Sequence, residues 1–286
     1  MQITQRSLIN EMLLLKYSEK SVNDLDLKLA LNYIRETGDY CLIPYKMVRK
    51  PIEAKSGYDK ENGIPYVIHG GKRLYFSSDM SEEQAKYAYI RYVSSEGLTG
   101  KGVKERSPHQ YQTEGFEIKE GDVLIDVGCA EALLSIDVVE KVERLYLIEN
   151  EKKWLKPLKK TFGPYCDKTI LINKAISDSD TDKTVRLETI LSKEMDKTVF
   201  LKMDIEGGEL KVLQDAERFL LHTTQKLKIA CCVYHRASDA ENIEALLRRC
   251  GFSVGYSEGY MLTDFLDESM LPSFRKGVIR ALKNCI

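Results

Sequence analysis

From residue 121 onward, short apolar runs alternate with segments of helical spacing. The runs are DVLIDVG, RLYLIEN, KTILINKAI, TVFLKMDIE and KLKIACCVYH. Between them lie ALLSIDVVEKV, EKKWLKPLKKTF, a polar stretch containing VRLETILSKEM, and GELKVLQDAERFLL. Runs this short and apolar on both faces read as strands buried from two sides, with the intervening helices as the cover. The pattern predicts an α/β fold built on a mostly parallel sheet. After DAENIEALLRRCG come FSVGYSEGYML and KGVIRALKN with no helix needed between them, which fits an antiparallel pair closing the sheet.

The first hundred residues have another texture. SLINEMLLLKY and DLDLKLALNYIRE carry apolar residues at mixed three and four spacing, predicting two helices within residues 7–37 that end at Gly38. The next forty residues or so are rich in Pro, Gly and Tyr and suggest short strands with a hairpin around Gly70-Gly71. SEEQAKYAYIRYVSSEG has the opening of a capped helix from about residue 81 to 95. The polar loop that follows is the best linker, with a boundary near residue 105. The expected organisation is an N-terminal helical and α+β extension over 1–105, shaping an acceptor pocket or an oligomer interface such as that of a homodimer, and a ligand-binding domain over 106–286. Tyr45, Tyr58, Tyr66 and Tyr75 in the extension are expected to pack in a mixture of core and surface positions, with stacking on sugar rings as the alternative.

Composition narrows the partners. Lysine and arginine total 43 against 44 acids, so no global field favours nucleic acid or an anionic membrane. No segment approaches the ~20 apolar residues a membrane helix requires, and a soluble cytoplasmic protein is expected. Seven cysteines without a CxxC pair read as reduced and mostly buried thiols, with Cys231 and Cys232 on opposite faces of a strand.

In open parallel sheets, ligands bind at the carboxyl ends of the strands near the point where strand order reverses. Asp126, Glu149, Asp204, Glu206 and His235 all fall at predicted strand ends. The first strand-to-helix turn, Gly128-Cys129-Ala130-Glu131-Ala132, keeps only the first glycine of a dinucleotide fingerprint, and Glu131 sets an anion where a diphosphate would lie. A ligand with a ribose but no phosphate meets neither objection. S-adenosylmethionine is such a ligand: Asp126 would hold its ammonium, Glu149 its ribose hydroxyls, and the amides of the turn its carboxylate.

GDVLIDVGCAEALLS, LYLIEN and especially LKMDIEGGELKVLQDA resemble the motifs of the FkbM-type S-adenosylmethionine-dependent methyltransferases. The resemblance runs from about residue 107 to 252. It implies a Rossmann-like class I methyltransferase three-layer sandwich with a seven-stranded sheet and an antiparallel last strand. It also implies methyl transfer to an oxygen, often on a sugar or a natural-product intermediate. Gly128, Ala130, Glu149 and Asn150 fall in its cofactor motifs; Ala132 stands where a second glycine is expected. The adenine is expected near Ala175 and Ile176 in NKAISDSD, and His109 and Tyr111 in the loop SPHQYQ would cover the bound cofactor.

Methyl transfer to a hydroxyl needs in-line approach and removal of a proton, by a base or with the help of a cation. Asp204, Glu206 and His235 are the candidates, with Asp204 and Glu206 as oxygen ligands if Mg²⁺ takes part. In an extended strand Lys202, Asp204 and Glu206 would share one side, and buried Lys202 should find a carboxylate partner. Glu209 fits a structural place in the first turn of the next helix. A non-catalytic binding or scaffold protein that keeps this fold is the alternative from a different class.

Overall fold

The computed structural model describes residues 5–38, 43–44, 53–96, 98, 107–264 and 272–284. The N-terminal part contains α1 (Gln5–Tyr17), α2 (Leu25–Thr37), the strands β1 (Ser56–Asp59), β2 (Ile64–His69) and β3 (Lys72–Tyr75), and α3 (Glu82–Glu96). Then follow β4 (Val123–Val127), α4 (Leu133–Val138), β5 (Arg144–Ile148), α5 (Leu155–Phe162), β6 (Thr169–Ile172), β7 (Ala175–Ile176), β8 (Thr184–Val185) and α6 (Leu187–Leu191). The chain continues through β9 (Val199–Met203), α7 (Glu209–Asp215), α8 (Glu217–His222), β10 (Leu227–Cys232) and α9 (Asp239–Arg249). It closes with β11 (Ser253–Tyr256), β12 (Met261–Thr263), β13 (Ser273–Arg275) and β14 (Val278–Lys283).

Seven strands form the main sheet in the order β11-β14-β10-β9-β4-β5-β6. β14 runs antiparallel to both neighbours, while β10-β9, β9-β4, β4-β5 and β5-β6 are parallel. This is the Rossmann-like α/β sandwich that the alternation predicts. Strand order reverses between β4 and β9, so their carboxyl ends open the crevice where a ligand belongs.

Alternation along the strands assigns the two faces. Leu124, Phe200, Ala230 and Cys232 pack into one core layer with α3, α4 and α5, whereas Ile125, Leu201, Ile229 and Cys231 pack into the other with α6, α7 and α9. The two adjacent cysteines therefore do face opposite ways, and the five described cysteines are free. Residues of β2, β3 and α3, among them Val67, Leu74 and Val93, share the first layer with the sheet. A buried polar clamp joins the same pieces: the His69 ring lies 3.0 Å from the Tyr89 hydroxyl and 2.8 Å from Asp137 of α4. The helices α1 and α2 pack instead on Leu262 and Phe274 of the β12-β13 hairpin.

The two N-terminal helices, the α3 helix and the hairpin stand where the sequence puts them. Gly38, Gly70 and Gly71 all have positive φ, as a left-handed helix end and a tight hairpin require. The boundary near 105 and Tyr45 lie outside the described residues. FSVGYSEGYML does not form one strand: it splits into β11, in the main sheet, and β12, which pairs with β13. Among the described residues, no helix is long and apolar enough to cross a membrane.

Candidate functional site

The site begins where β4 and β9 end side by side. Gly128 has φ +69°, and a Cβ there would stand 1.9 Å from the Asp204 carbonyl oxygen. A glycine lets the two strand ends touch, and the Asp204 N–H donates to the Val127 carbonyl at 3.1 Å. Beyond it the turn is tightly wound. Ala130 (φ 46°) and Ala132 (φ 64°) both occupy the left-handed region, so Ala132 adopts the conformation for which the family pattern uses glycine.

Parallel register sets Asp126 opposite Lys202. The Lys202 ammonium lies 2.9 Å from Asp126 Oδ1 and donates to the Gly128 carbonyl at 2.7 Å; the Ser135 hydroxyl donates to Asp126 Oδ2 at 2.6 Å. Burial works against the Lys202 charge, but Asp126 and then Asp204 outweigh it and hold its pKa above the ordinary lysine value. The expected carboxylate partner of Lys202 is thus Asp126, which is 1% exposed. With both oxygens engaged, Asp126 braces the turn from below.

Asp204 is the hub. Its Oδ2 accepts from the Tyr111 hydroxyl at 3.1 Å and lies 3.4 Å from His109 Nε2; its Oδ1 lies 3.4 Å from His235 Nε2. Burial opposes ionisation, yet His109, Lys202 and His235 together hold this carboxyl well below the usual carboxylate range. Behind Asp204, the fully buried Glu209 accepts from the Ile205 N–H at 2.8 Å and meets His235 Nδ1 at 3.0 Å. Burial lowers the His235 pKa, but Glu209 and Asp204 more than offset it, so the imidazole titrates above its ordinary value.

Two cavities meet over this hub. One, of 500 Å³, is lined by Gly128, Ala130, Ile148, Glu149, Asn150, Ala175, Ile176 and Ser177. The other, of 430 Å³, is lined by α3, by His109 and Tyr111, and by Asp126, Glu131 and Tyr234. Gly128, Ala130, Asp204 and Glu206 belong to both. Glu149 is 6% exposed, and its carboxylate accepts from the N–H groups of Ala130 at 3.0 Å and Glu151 at 2.7 Å. Each oxygen keeps a lone pair for a ligand hydroxyl.

The structure thus gathers Asp126, Gly128, Ala130, Glu149, Asn150, Ala175, Ile176, Asp204, His109 and Tyr111 around one crevice. Two expectations change. His235 lies on neither cavity wall, because the chain leaves β10 at Cys232 and the ring turns back between Asp204 and Glu209. Glu206 does not continue the alternation of β9: the strand stops at Met203, Glu206 takes φ 57°, and its side chain is 90% exposed. The compact donor clusters among the described residues therefore join Asp204 to His109 and Cys232, or to Glu209 and His235, and neither includes the Asp204–Glu206 pair expected for Mg²⁺. Tyr92 and Glu96 of α3 line the second cavity without having been singled out. Only the helical spacing of α3 hinted at them, and spacing does not say what a helix faces.

Glu131 is buried at 6% exposure. Burial, more than the neighbouring Asp126 and Asp204, pushes its carboxyl up to about 7. The folded protein then holds that proton more tightly than the unfolded chain, so stability falls as pH rises from the ordinary carboxylate value of 4.5 through 7. Glu131→Gln is expected to match the parent at pH 4 and to exceed it at pH 8, by up to about 3 kcal/mol. Chemical denaturation at the two pH values checks this; a difference independent of pH would contradict it.

Residues 127–254 match the family model described as methyltransferase FkbM domain. A solved structure of methyltransferase FkbM from Methylobacillus flagellatus is 21% identical with a TM-score of 0.46, over 69% of this chain and 54% of that one. The chain therefore spans about half the length of that protein. A structure of M. jannaschii TYW2 in complex with AdoMet is 12% identical with a TM-score of 0.43, over 78% of this chain and 87% of that one. A precorrin-6y C5,15-methyltransferase from Geobacter metallireducens is 14% identical with TM-score 0.39, over 60% and 84% of the two chains. No curated protein matches the chain.

Proposed function

We infer that this chain, which carries an FkbM-type methyltransferase domain over residues 127–254, transfers a methyl group from S-adenosylmethionine to a hydroxyl oxygen of a small carbohydrate or natural-product precursor. The observation that carries the reading is the pair of cavities joined at Gly128 and Asp204. One would take the nucleoside, with Glu149 at the ribose position; the other holds aromatic and acidic groups beside the same junction. The residues fit the donor, because an acidic crevice suits a cationic ligand without phosphates and the buried Glu149 can accept from a ribose diol. Bound there, S-adenosylmethionine supplies an electrophilic methyl carbon on a sulfonium.

His109 is the best placed base, since it lines the acceptor cavity and lies 3.4 Å from Asp204 Oδ2. It would take the hydroxyl proton as the acceptor oxygen bonds to the methyl carbon and the carbon–sulfur pair leaves with sulfur. Asp204 would orient the ring and stabilise the imidazolium, while Glu209 and His235 hold Asp204 in place. The tyrosines Tyr92, Tyr111 and Tyr234 on the same cavity suit the faces of a sugar. A net charge of −1 gives no support to a nucleic-acid acceptor, and a cytoplasmic setting belongs to the same reading.

Calorimetric titration with S-adenosylmethionine, S-adenosylhomocysteine and NAD tests it. Micromolar binding of both sulfur ligands, about 8 kcal/mol, is expected, with none of NAD. Glu149→Ala is expected to weaken both sulfur ligands by roughly 10- to 100-fold, the worth of one or two hydrogen bonds to a charged group. Absence of binding by both would replace this reading with a non-catalytic scaffold on the same fold.

A further inference from the structure

The acceptor cavity contains two acids that the chemistry above does not use. Glu96 ends α3 and is 9% exposed, and Glu131 in the turn after β4 is 6% exposed; both line the cavity. Glu96 Oε2 is buried without a hydrogen-bond partner. Among the described residues neither carboxylate forms an ion pair. Of the cations on this cavity, Lys202 is held by Asp126 and the Gly128 carbonyl, while the exposed Arg91 lies 5.9 Å from the centroid of the Tyr87 ring and forms no ion pair with either acid.

Acids buried in one cavity repel and lose hydration, and the effect of Glu131 is visible at Glu96. Burial and then Glu131 push the Glu96 carboxyl well above its ordinary range, with Lys202 opposing and Asp126 and Asp204 adding to the rise. A buried acid with no internal partner is compensated by a cation when one enters the same space. The cavity also presents the rings of Tyr92, Tyr111 and Tyr234, whose faces attract an ammonium group. Their position separates these acids from the donor: Glu96 is on the α3 wall, away from Glu149, Ala175 and Ile176.

We propose that the acceptor is a hydroxylated molecule bearing a protonated amine, of the amino-sugar type, whose ammonium is held by Glu96 and Glu131 while its hydroxyl faces His109. The inference rests on the reading that the methyl donor fills the cavity of Glu149. It is specific about the acceptor, since a neutral sugar of the same size would leave both acids uncompensated.

Glucosamine, glucose and N-acetylglucosamine are the probes, titrated into the full chain with and without S-adenosylhomocysteine. Glucosamine is expected to bind at least 10-fold more tightly than either neutral sugar. Glu96→Gln is expected to abolish that preference and to leave S-adenosylhomocysteine affinity within twofold; circular dichroism verifies that the variant is folded. Equal binding of the three sugars, or no binding of glucosamine, overturns the proposal. So does a Glu96→Gln protein whose S-adenosylhomocysteine affinity falls with its amine affinity, because the acids would then serve the donor's own ammonium. A glucosamine preference without binding of the sulfur ligand would remove the methyl-donor reading alone, and sulfur-ligand binding without the preference would remove this proposal alone.

Discussion

Asp204→Asn is expected to lower kcat by roughly 10²- to 10³-fold, within the range that positioned proton transfer contributes, while the protein stays folded and binds S-adenosylhomocysteine within a few fold. The amide keeps the shape of the carboxylate, so the Tyr111 hydroxyl still has an oxygen to donate to at about the same place. What disappears is the negative charge on which His109 and His235 converge. Without it the imidazole of His109 loses both its orienting acceptor and the stabilisation of its protonated form. A carboxylate held well below the usual range is itself a poor base, which is why the proton is assigned to the histidine. His109→Gln should cost a similar factor, and the double variant little more, because residues acting as a unit do not add. Full turnover by the Asp204→Asn protein would remove Asp204 from the reaction and leave it a structural hub.

The sheet was legible because its signal is local. A strand buried on both faces must be apolar throughout, and a helix crossing between parallel strands must carry a 3.6-residue period, so alternation alone predicted β4, β5, β6, β9 and β10. KTILINKAI, read as one run, divides into β6 and the separate short β7, which pairs with β8. Glu149 was legible for the same reason, being the polar residue that follows an apolar run. The contacts of Asp204 were harder to read. Tyr111 is 93 residues away from it and arrives from a loop whose path depends on how residues 107–118 cross the sheet. Glu96 comes from a helix that precedes the first strand of the main sheet, and its burial depends on how α3, packed on β1 and β2, is carried against the rest of the fold, which no spacing encodes. Glu206 was misplaced because extension was carried past Met203 into DIEGG. There Gly207 (φ 95°) and Glu206 (φ 57°) turn the backbone sharply, and the alternation of faces ends with the strand. His235 followed the same error at the end of β10.

Lys202→Met is expected to destabilise the fold by about 3–5 kcal/mol, the cost of leaving one member of a buried ion pair behind. Methionine fills much of the lysine stem's volume in the central strand, so little of the loss would come from packing. The loss comes from Asp126, 1% exposed, which would keep only the Ser135 hydroxyl, and from the Gly128 carbonyl, which would lose its donor at the closest approach of β4 and β9. For a chain of this size, that corresponds to a fall in Tm of very roughly 6–20 °C. A second substitution separates charge from packing. If the uncompensated carboxylate is the cause, Asp126→Asn in the Lys202→Met background should recover part of the stability, whereas Asp126→Asn alone strands the lysine and should destabilise. Lys202→Met within about 1 kcal/mol of the parent would mean that water reaches Asp126. The pair would then not be what holds the strand ends together beneath the ligand crevice.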